Sequence, residues 1–414
     1  MEPFSRRGGR LHAESVPLER LAQDAGTPLY VYAANELRRR YRAVGAAFSD
    51  FDPLVCYSVK SNSNLGVLAL LAAEGAWFDI VSGGELHRVA RAGGDLSRVV
   101  FAGVGKTDPE LREALARGVH AFNVESEGEL GRLDALARAA GKRPRVALRV
   151  NPDVAAATHA YVATGHARAK FGMPPERARA LLAEPSRWEG IEFHGLHVHI
   201  GSRIRDVTPF VRALAVLEGL ANAFPGGRLP SADLGGGFAI DEEEGPGLDL
   251  RALADALRPG LRRLGARLAL EPGRWISGPS GLLLARVLDV KTAGGRALAV
   301  VDAGMNDLLR PALYDARHRI VPVVEPEGRR VRTDVVGPVC ESGDFLGLDR
   351  ELPPLAPGDL LAVLDAGAYG FSMSSQYNGR PRAAEVLVDG ETWRTVRRRE
   401  SVEDLCRGED PGGA

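Results

Sequence analysis

An excess of charge of either sign is what this chain most clearly lacks. Its 53 lysines and arginines face 54 aspartates and glutamates, for a formal net charge of -1. The basic surplus that nucleic acid or an anionic membrane requires is therefore missing, and neither is expected as a partner. Cysteine is scarce: Cys56, Cys340 and Cys406 are the whole supply. Three such residues, none in a C-x-x-C pair, argue against a disulfide framework and a structural zinc site, and for a reducing, cytoplasmic compartment. No apolar run approaches the roughly 18 residues of a membrane span. The opening MEPFSRRGGR has no apolar stretch of the kind a secretory leader carries. Internal repeats and low-complexity linkers are also absent. What is there is an ordinary globular composition, 45% hydrophobic and 26% charged over 414 residues, enough for two or three domains.

From about residue 54 to 275, short β-type runs alternate with helical patterns. The strand candidates are Leu54–Lys60, Trp77–Ser82, Val99–Gly103, Ala121–Glu125, Arg145–Asn151, Gly195–Gly201, Ala232–Gly236 and Leu268–Gly273. Between them, stretches such as Leu65–Glu74, Glu127–Ala140 and Leu250–Leu264 place apolar residues at helical spacing, and many end in glycine. Eight strands with helical crossovers are the arithmetic of a (β/α)8 TIM-like barrel, with an open doubly wound sheet as the alternative. After about residue 281, strand-like segments follow one another between Gly, Pro and Asp turns with no long helix. This predicts a C-terminal all-β domain, a β-barrel or sandwich. The expected division is a barrel over residues 30–280 and a β domain over 1–29 and 281–414, although the first 30 residues, with Pro28–Tyr32, suit either.

In such a barrel, chemistry gathers at the carboxyl ends of the strands. The first candidate ends in Lys60. A lysine after an apolar strand reads as a snorkelling surface residue in isolation, and as a Schiff-base lysine if it is desolvated in the barrel mouth. The second ends in Asp79 and the sixth in His199, whose imidazole could stack on an aromatic cofactor. The seventh ends in Gly235-Gly236-Gly237, whose backbone N–H groups can approach an anion closely. The eighth ends in Glu271-Pro272-Gly273-Arg274. The loops after strands seven and eight are the usual phosphate site of these barrels, and the glycine run and Arg274 fall in those two loops. A lysine, a stacking histidine, an anion cradle, a carboxylate and an arginine together suit a phosphorylated aromatic aldehyde, which is pyridoxal phosphate. Glu271 would keep its pyridine nitrogen protonated, making the ring an electron sink for decarboxylation.

The ordered motifs YSVKSNSN (Tyr57–Asn64), FDIVSGGE (Phe78–Glu85), HIGS (His199–Ser202), GGGF (Gly235–Phe238), EPGR (Glu271–Arg274), RPALY (Arg310–Tyr314), VCESG (Val339–Gly343) and DAGAYG (Asp365–Gly370) resemble the diaminopimelate decarboxylases. These belong to the fold-type III pyridoxal-phosphate-dependent decarboxylases, with the ornithine and arginine enzymes. The resemblance spans residues 28 to 395. It implies that Lys60 is the Schiff-base lysine, with Asp79 beside it, His199 on the ring and Glu271 at the pyridine nitrogen. It implies that Ser202, Gly236, Gly237, Pro272, Gly273, Arg274 and Tyr369 hold the phosphate or lie beside it. Cys340 would be the catalytic proton donor after CO2 leaves. Arg274, Arg310 and Tyr314 would grip the substrate's distal carboxylate, with Tyr369 also at the substrate and Glu341 accepting from the distal ammonium. Arginine suits bidentate carboxylate recognition. The resemblance also implies a homodimer in which Cys340 and Glu341 enter the partner's site. The implied activity is conversion of meso-2,6-diaminopimelate to L-lysine and CO2, the last step of lysine biosynthesis.

Two positions depart from the family pattern. Ser61 follows the lysine where alanine is usual, a small change. Arg203 follows HIGS where glutamine is usual, adding positive charge near the mouth or pairing with Asp206. Arg203 is the ground for an alternative with the same chemistry on ornithine, arginine, D-lysine or a carrier-bound amino acid. A non-catalytic, antizyme-like regulator would lack Cys340 or Arg310, and a racemase would lack CESG and RPALY. The segment His159–Gly172 also resembles the family and reads as a flexible loop over the active site. Cys56, inside the first strand, reads as core.

Overall fold

The computed structural model describes residues 2–154, 170–243, 245–325, 328–410 and 412. Its contacts divide the chain into two units. One comprises Arg38–Asp241 and Pro246–Ile276; the other comprises Met1–Leu37, Glu242–Gly245 and Ser277–Ala414.

The first unit is a closed (β/α)8 barrel. Parallel strands Leu54–Ser58, Trp77–Ile80, Val99–Phe101, Ala121–Val124, Arg145–Arg149, Glu192–His197, Ser231–Asp233 and Arg267–Leu270 follow one another around the ring, and the last pairs with the first. Helices Leu65–Ala73, Gly83–Arg91, Asp108–Arg117, Glu127–Ala139, Pro175–Ala183, Thr208–Ala221 and Leu250–Leu264 fall between them. Local chemistry sets their limits. Ser82 and Ser126 cap two of them by accepting from the Glu85 and Glu129 backbone N–H, and Thr107 with Glu110 forms a capping box. Gly118 and Gly265 end Asp108–Arg117 and Leu250–Leu264 in the left-handed conformation that glycine adopts without strain. In Leu250–Leu264, Leu253, Leu257 and Leu261 form the buried stripe that an i, i+4 spacing provides. Leu54, Cys56, Val100 and Ala269 pack together with Trp77 against them, so Cys56 is core.

The strands stop sooner than the sequence suggests. The first ends at Ser58, and Lys60 lies in the following 3-10 turn, Val59–Ser61. The sixth ends at His197 and the seventh at Asp233, short of His199 and Gly236. The backbone leaves the extended region at Gly201 (φ 150) and Gly235 (φ 67). Interstrand bonds continue beyond those ends, from Val198 N to Asp233 O at 2.9 Å and from Glu271 N to Gly235 O at 2.8 Å. The candidate residues therefore stand on short turns directly above a rigid sheet. The segment expected to cover the site, His159–Gly172, lies outside the described residues up to residue 169.

The second unit is built on a nine-stranded sheet. Its path runs Phe345–Leu352, Val331–Val336, Arg296–Val301, Gly281–Ala293, Leu29–Ala33, Ala384–Asp389 and Thr392–Arg397, while Leu360–Val363 pairs with both Gly281–Ala293 and Ile320–Pro322. Leu29–Ala33 is a central strand here, antiparallel to Gly281–Ala293 and parallel to Ala384–Asp389, and it is buried at every residue. Strands Phe4–Arg7, Arg10–Ala13 and Val16–Pro17 form a small antiparallel sheet. Leu11, Leu18 and Leu21 from this region share a core with Leu29, Val31, Leu282, Leu284, Val386 and Val388. The sequence reading missed Phe345–Leu352 and Thr392–Arg397. They lie at the two ends of the path and carry the polar residues that edge strands tolerate, which hides their alternation.

Candidate active site

At the barrel's carboxyl end, the Lys60 ammonium donates to Asp79 Oδ2 at 2.9 Å, and Ser58 Oγ donates to the same oxygen at 2.7 Å. Asp79 is fully buried. Burial and the nearby Glu271 charge push its carboxyl up, and Lys60 only partly offsets them. Asp79 Oδ1 is buried and has no hydrogen-bond partner among the described atoms. A buried polar atom left unmatched costs free energy and usually marks where another group belongs. The Lys60 side chain keeps about a third of its surface, at 34%.

Glu271 is the centre of a second cluster. His197 Nε2 lies 3.3 Å from Glu271 Oε2, and one ligand-type atom from each of His197, Asp233 and Glu271 falls within 4.8 Å of the others. Asn123 Nδ2 donates to Glu271 Oε1 at 3.2 Å and to Asp233 Oδ2 at 3.4 Å. Asn123 is fixed from behind, since its carbonyl accepts from the buried Lys106 ammonium at 2.9 Å. Burial opposes ionisation of Glu271, yet the His197 charge outweighs it and holds the carboxyl below its usual range. Burial and Glu271 push Asp233 up to about 8. Burial pulls His197 down, but Glu271 and Asp233 raise it overall. Within the cluster, then, the imidazole is raised toward its charged form, Glu271 is held toward its ionised form and Asp233 is pushed toward its neutral form. The spacing would also suit a small cation, but a carboxyl that retains its proton this far is a poor metal ligand.

The glycine run closes against these residues. A Cβ on Gly236 would stand 2.0 Å from Glu271 O, and one on Gly237 would stand 2.2 Å from Gly201 O. Only glycine permits that approach of three loops. Gly236 N donates to His199 Nδ1 at 3.2 Å, which fixes Nδ1 as the unprotonated nitrogen of the ring. Burial, then the Lys60 charge, hold the His199 pKa well below its ordinary value, so the ring is neutral. Ser202 lies in the turn after Gly201, and Ile204 bridges to Phe238, tying that turn to the glycine run. Gly273 packs on Ser58 and Ser61, where a Cβ would meet their Cβ atoms at 3.0 and 3.1 Å. Pro272 O accepts from Ser58 N at 3.3 Å. Arg274 opens the short helix Arg274–Ser277 and is buried. The unusual Ser61 is buried, and its hydroxyl donates to Ser58 O at 2.8 Å, so the extra polar atom is satisfied internally. Arg203 adopts a left-handed backbone (φ 62), and Asp206 accepts from Thr208 N and Oγ1, both at 2.8 Å.

The remaining candidates lie in the second unit. Arg310 and Tyr314 begin and end the short helix Arg310–Tyr314, four residues apart and so on one face. Arg310 is buried and Tyr314 half-buried. Cys340 and Glu341 are exposed on a turn. Asp344 braces that turn, accepting from Val339 N and from Met305 N, both at 2.6 Å, while Asn378 Oδ1 accepts from Cys340 N at 2.7 Å. A hydrogen bond to Glu341 raises the Tyr377 hydroxyl. Tyr369 is half-buried with φ 55, a strained value for a tyrosine that the DAGAYG turn imposes. Gly367 in that turn admits no Cβ, which would stand 2.0 Å from Ser277 O.

A family model described as the pyridoxal binding domain of pyridoxal-dependent decarboxylases matches residues 34–278. The diaminopimelate decarboxylase of Pseudomonas aeruginosa is 49% identical over 415 residues, covering 99% of each chain. The chain belongs to the diaminopimelate decarboxylase family. Solved structures agree. The Helicobacter pylori diaminopimelate decarboxylase complexed with L-lysine superposes with a TM-score of 0.90 at 37% identity, over 94% of this chain and 98% of that one. The M. jannaschii enzyme in co-complex with L-lysine gives a TM-score of 0.94 at 32% identity, over 99% and 98%. As a member of this family the chain is a pyridoxal-phosphate-dependent decarboxylase.

Sequence reasoning missed several residues of these clusters. Ser58, His197 and Asp233 each end a strand as a polar residue and Asn123 stands one residue before the end of its own, which was the available signal. Their convergence on Asp79 and Glu271 depends on strand register, which the sequence does not display. His318, eight residues beyond Arg310, carried no signal of its own.

Proposed function

We propose that this chain decarboxylates meso-2,6-diaminopimelate to L-lysine and CO2, the last step of lysine biosynthesis, as a cytoplasmic homodimer. The observation that carries the reading is the barrel mouth itself, where Lys60 contacts the buried Asp79 and a glycine run that admits no side chains meets Glu271. Among the described residues no helix is long and apolar enough to cross a membrane.

The residues present fit pyridoxal phosphate. The packed glycine run offers close backbone approach to a phosphate, and Asp79, which accepts from Lys60 through Oδ2, keeps Oδ1 buried and unmatched. When bound, the cofactor supplies an aldehyde and a pyridine ring that accepts the electron pair released with CO2. Lys60 provides the amine, and Asp79 orients it. Glu271, kept anionic by His197, holds a proton at the pyridine nitrogen. His199, neutral and locked by Gly236 N, packs on the ring face. Ser202, Gly236, Gly237, Pro272, Gly273, Arg274 and Tyr369 hold or flank the phosphate. Arg274, Arg310 and Tyr314 bind the distal carboxylate, Tyr369 lies beside the substrate, and Glu341 accepts from the distal ammonium. Cys340, entering with Glu341 from the partner subunit, returns a proton to the carbon that lost CO2.

The substrate is tested by measuring CO2 release from meso-diaminopimelate, ornithine, arginine and D-lysine at equal concentrations. Turnover concentrated on the first supports the proposal. Absence of turnover on it, with activity on another diamino acid, would replace the substrate and give Arg203 its significance.

A further inference from the structure

Arg310 is bound from behind by a residue outside the implied site. Its Nη1 lies 3.1 Å from His318 Nε2, and His318 Nδ1 lies 2.9 Å from the Leu364 carbonyl oxygen. Both side chains are 2% exposed. The chemistry of the two neighbours fixes the ring between them. A guanidinium N–H can only donate, and a carbonyl oxygen can only accept. His318 must therefore carry its proton on Nδ1, for Leu364 O, and offer the bare Nε2 to Arg310. That is a single, neutral tautomer, determined by the donor and acceptor types alone.

The fold makes this contact rigid. The helix Arg310–Tyr314 ends at Asp315 (φ 51), whose N–H returns to Arg310 O, and Ala316 N donates to the same oxygen at 3.3 Å. This tight reversal brings the residue eight positions on back to Arg310. His318 is in turn anchored to sheet, since Leu364 N donates to Arg319 O at 2.8 Å and Ile320 pairs with Val363. A neutral acceptor has a specific consequence. Asp or Glu at this place would orient the guanidinium but neutralise it. Imidazole nitrogen orients the fork and leaves its full positive charge for an incoming carboxylate.

We propose that His318 is a positioning residue that holds Arg310 for the distal carboxylate of the substrate, as the neutral tautomer protonated on Nδ1. The inference rests on the reading of Arg310 given above, and the test separates the two. L-lysine retains the distal carboxylate and cadaverine lacks it, so calorimetric binding of both to the holoenzyme isolates the Arg310 contact. His318→Phe fills the ring's volume without an acceptor. It should weaken L-lysine roughly 10- to 100-fold, the scale of a buried donor left unmatched, and leave cadaverine within about threefold. In turnover it should raise KM far more than it lowers kcat. His318→Gln, which can present an oxygen near the Nε2 position, should recover most of the L-lysine affinity. His318→Asn, too short to reach Arg310, should not, and this pair gives the same contrast if the phenylalanine variant fails to fold.

Arg310→Met with unchanged L-lysine affinity would overturn the reading of Arg310, and the proposal with it. An effect of Arg310→Met on L-lysine with none of His318→Phe or His318→Asn would overturn the positioning role alone. Equal losses for L-lysine and cadaverine in the His318 variants, without rescue by glutamine, would show a merely structural histidine and also overturn it.

Discussion

The barrel mouth and the second unit hold their candidate site residues in opposite ways. In the barrel, Asp233, Glu271 and His197 are buried within a few ångströms of one another, and the buried Asp79 is compensated by Lys60. In the second unit, Cys340 and Glu341 are exposed on a turn, and Tyr369 stands on left-handed backbone. Burial in a low-dielectric interior makes each charge strongly dependent on its neighbours. The barrel cluster is therefore preorganised by the sheet and intolerant of single changes. Residues on turns can be exchanged at less structural cost, which suits the substrate-side roles proposed for them. Among the candidates on that side Arg310 is the exception: it is buried and therefore needs a backing residue, and His318 supplies one.

The sharpest break of the comparison is Lys60→Ala. It should abolish the visible absorbance of lysine-bound pyridoxal phosphate and lower kcat on the order of 10^5-fold or more, the scale for removing a covalent catalyst. The loss should be the same for every substrate. Cys340→Ala is the counterpart from the second unit. Slowed proton return should lower kcat roughly 10^2- to 10^4-fold, while the absorbance band and cofactor affinity stay as in the parent. A lost band in Cys340→Ala would mean that the turn also shapes the cofactor site, and the division between the units would fail.

The third test acts on the charge cluster through pH. Asp233 titrates near 3.8 when unfolded and is held up to about 8 in the folded protein. Its contribution to stability is thus fully present below 3.8 and is lost as pH rises through about 8. Asp233→Asn keeps an acceptor for Gly235 N, which now bonds Asp233 Oδ1 at 2.8 Å, but cannot ionise. Its Tm should be below the parent's at pH 5 and should fall less than the parent's between pH 5 and pH 8. Parallel curves would show that Asp233 is ionised throughout and that His197 alone balances two carboxylates.

How much of this was legible in the sequence follows from the physics of each signal. The barrel was legible because short apolar runs, helical stripes and glycine stops are local patterns. Lys60, His199, the glycine run and Glu271 were legible because each follows a strand, where barrels gather chemistry. The Asn123–Asp233–Glu271–His197 cluster was not, because four residues spread over 149 positions meet only through strand register. His318 was hidden for the same reason, its partner Leu364 being 46 residues away. The edge strand Phe345–Leu352 was hidden because Asp349 and Glu351 are exposed and Arg350 takes a buried position between them, which breaks the apolar alternation.

The smallest expected effect concerns Arg203, the position at which the chain departs from the family. Arg203 stands at φ 62, a conformation that costs glutamine about what it costs arginine. Arg203→Gln therefore removes a charge without altering backbone strain. The side chain is half-buried near the turn that carries Ser202, where a charge is partly screened by water and salt. Screened charges contribute about 0.2–1 kcal/mol, so kcat/KM for meso-diaminopimelate should move by no more than about fivefold. The change should shrink further as ionic strength rises. Steady-state kinetics at two salt concentrations on meso-diaminopimelate and ornithine decide the matter. A change in the ratio of the two substrates that persists at high salt would mean that Arg203 touches the substrate, and would move part of substrate choice from the second unit into the barrel mouth.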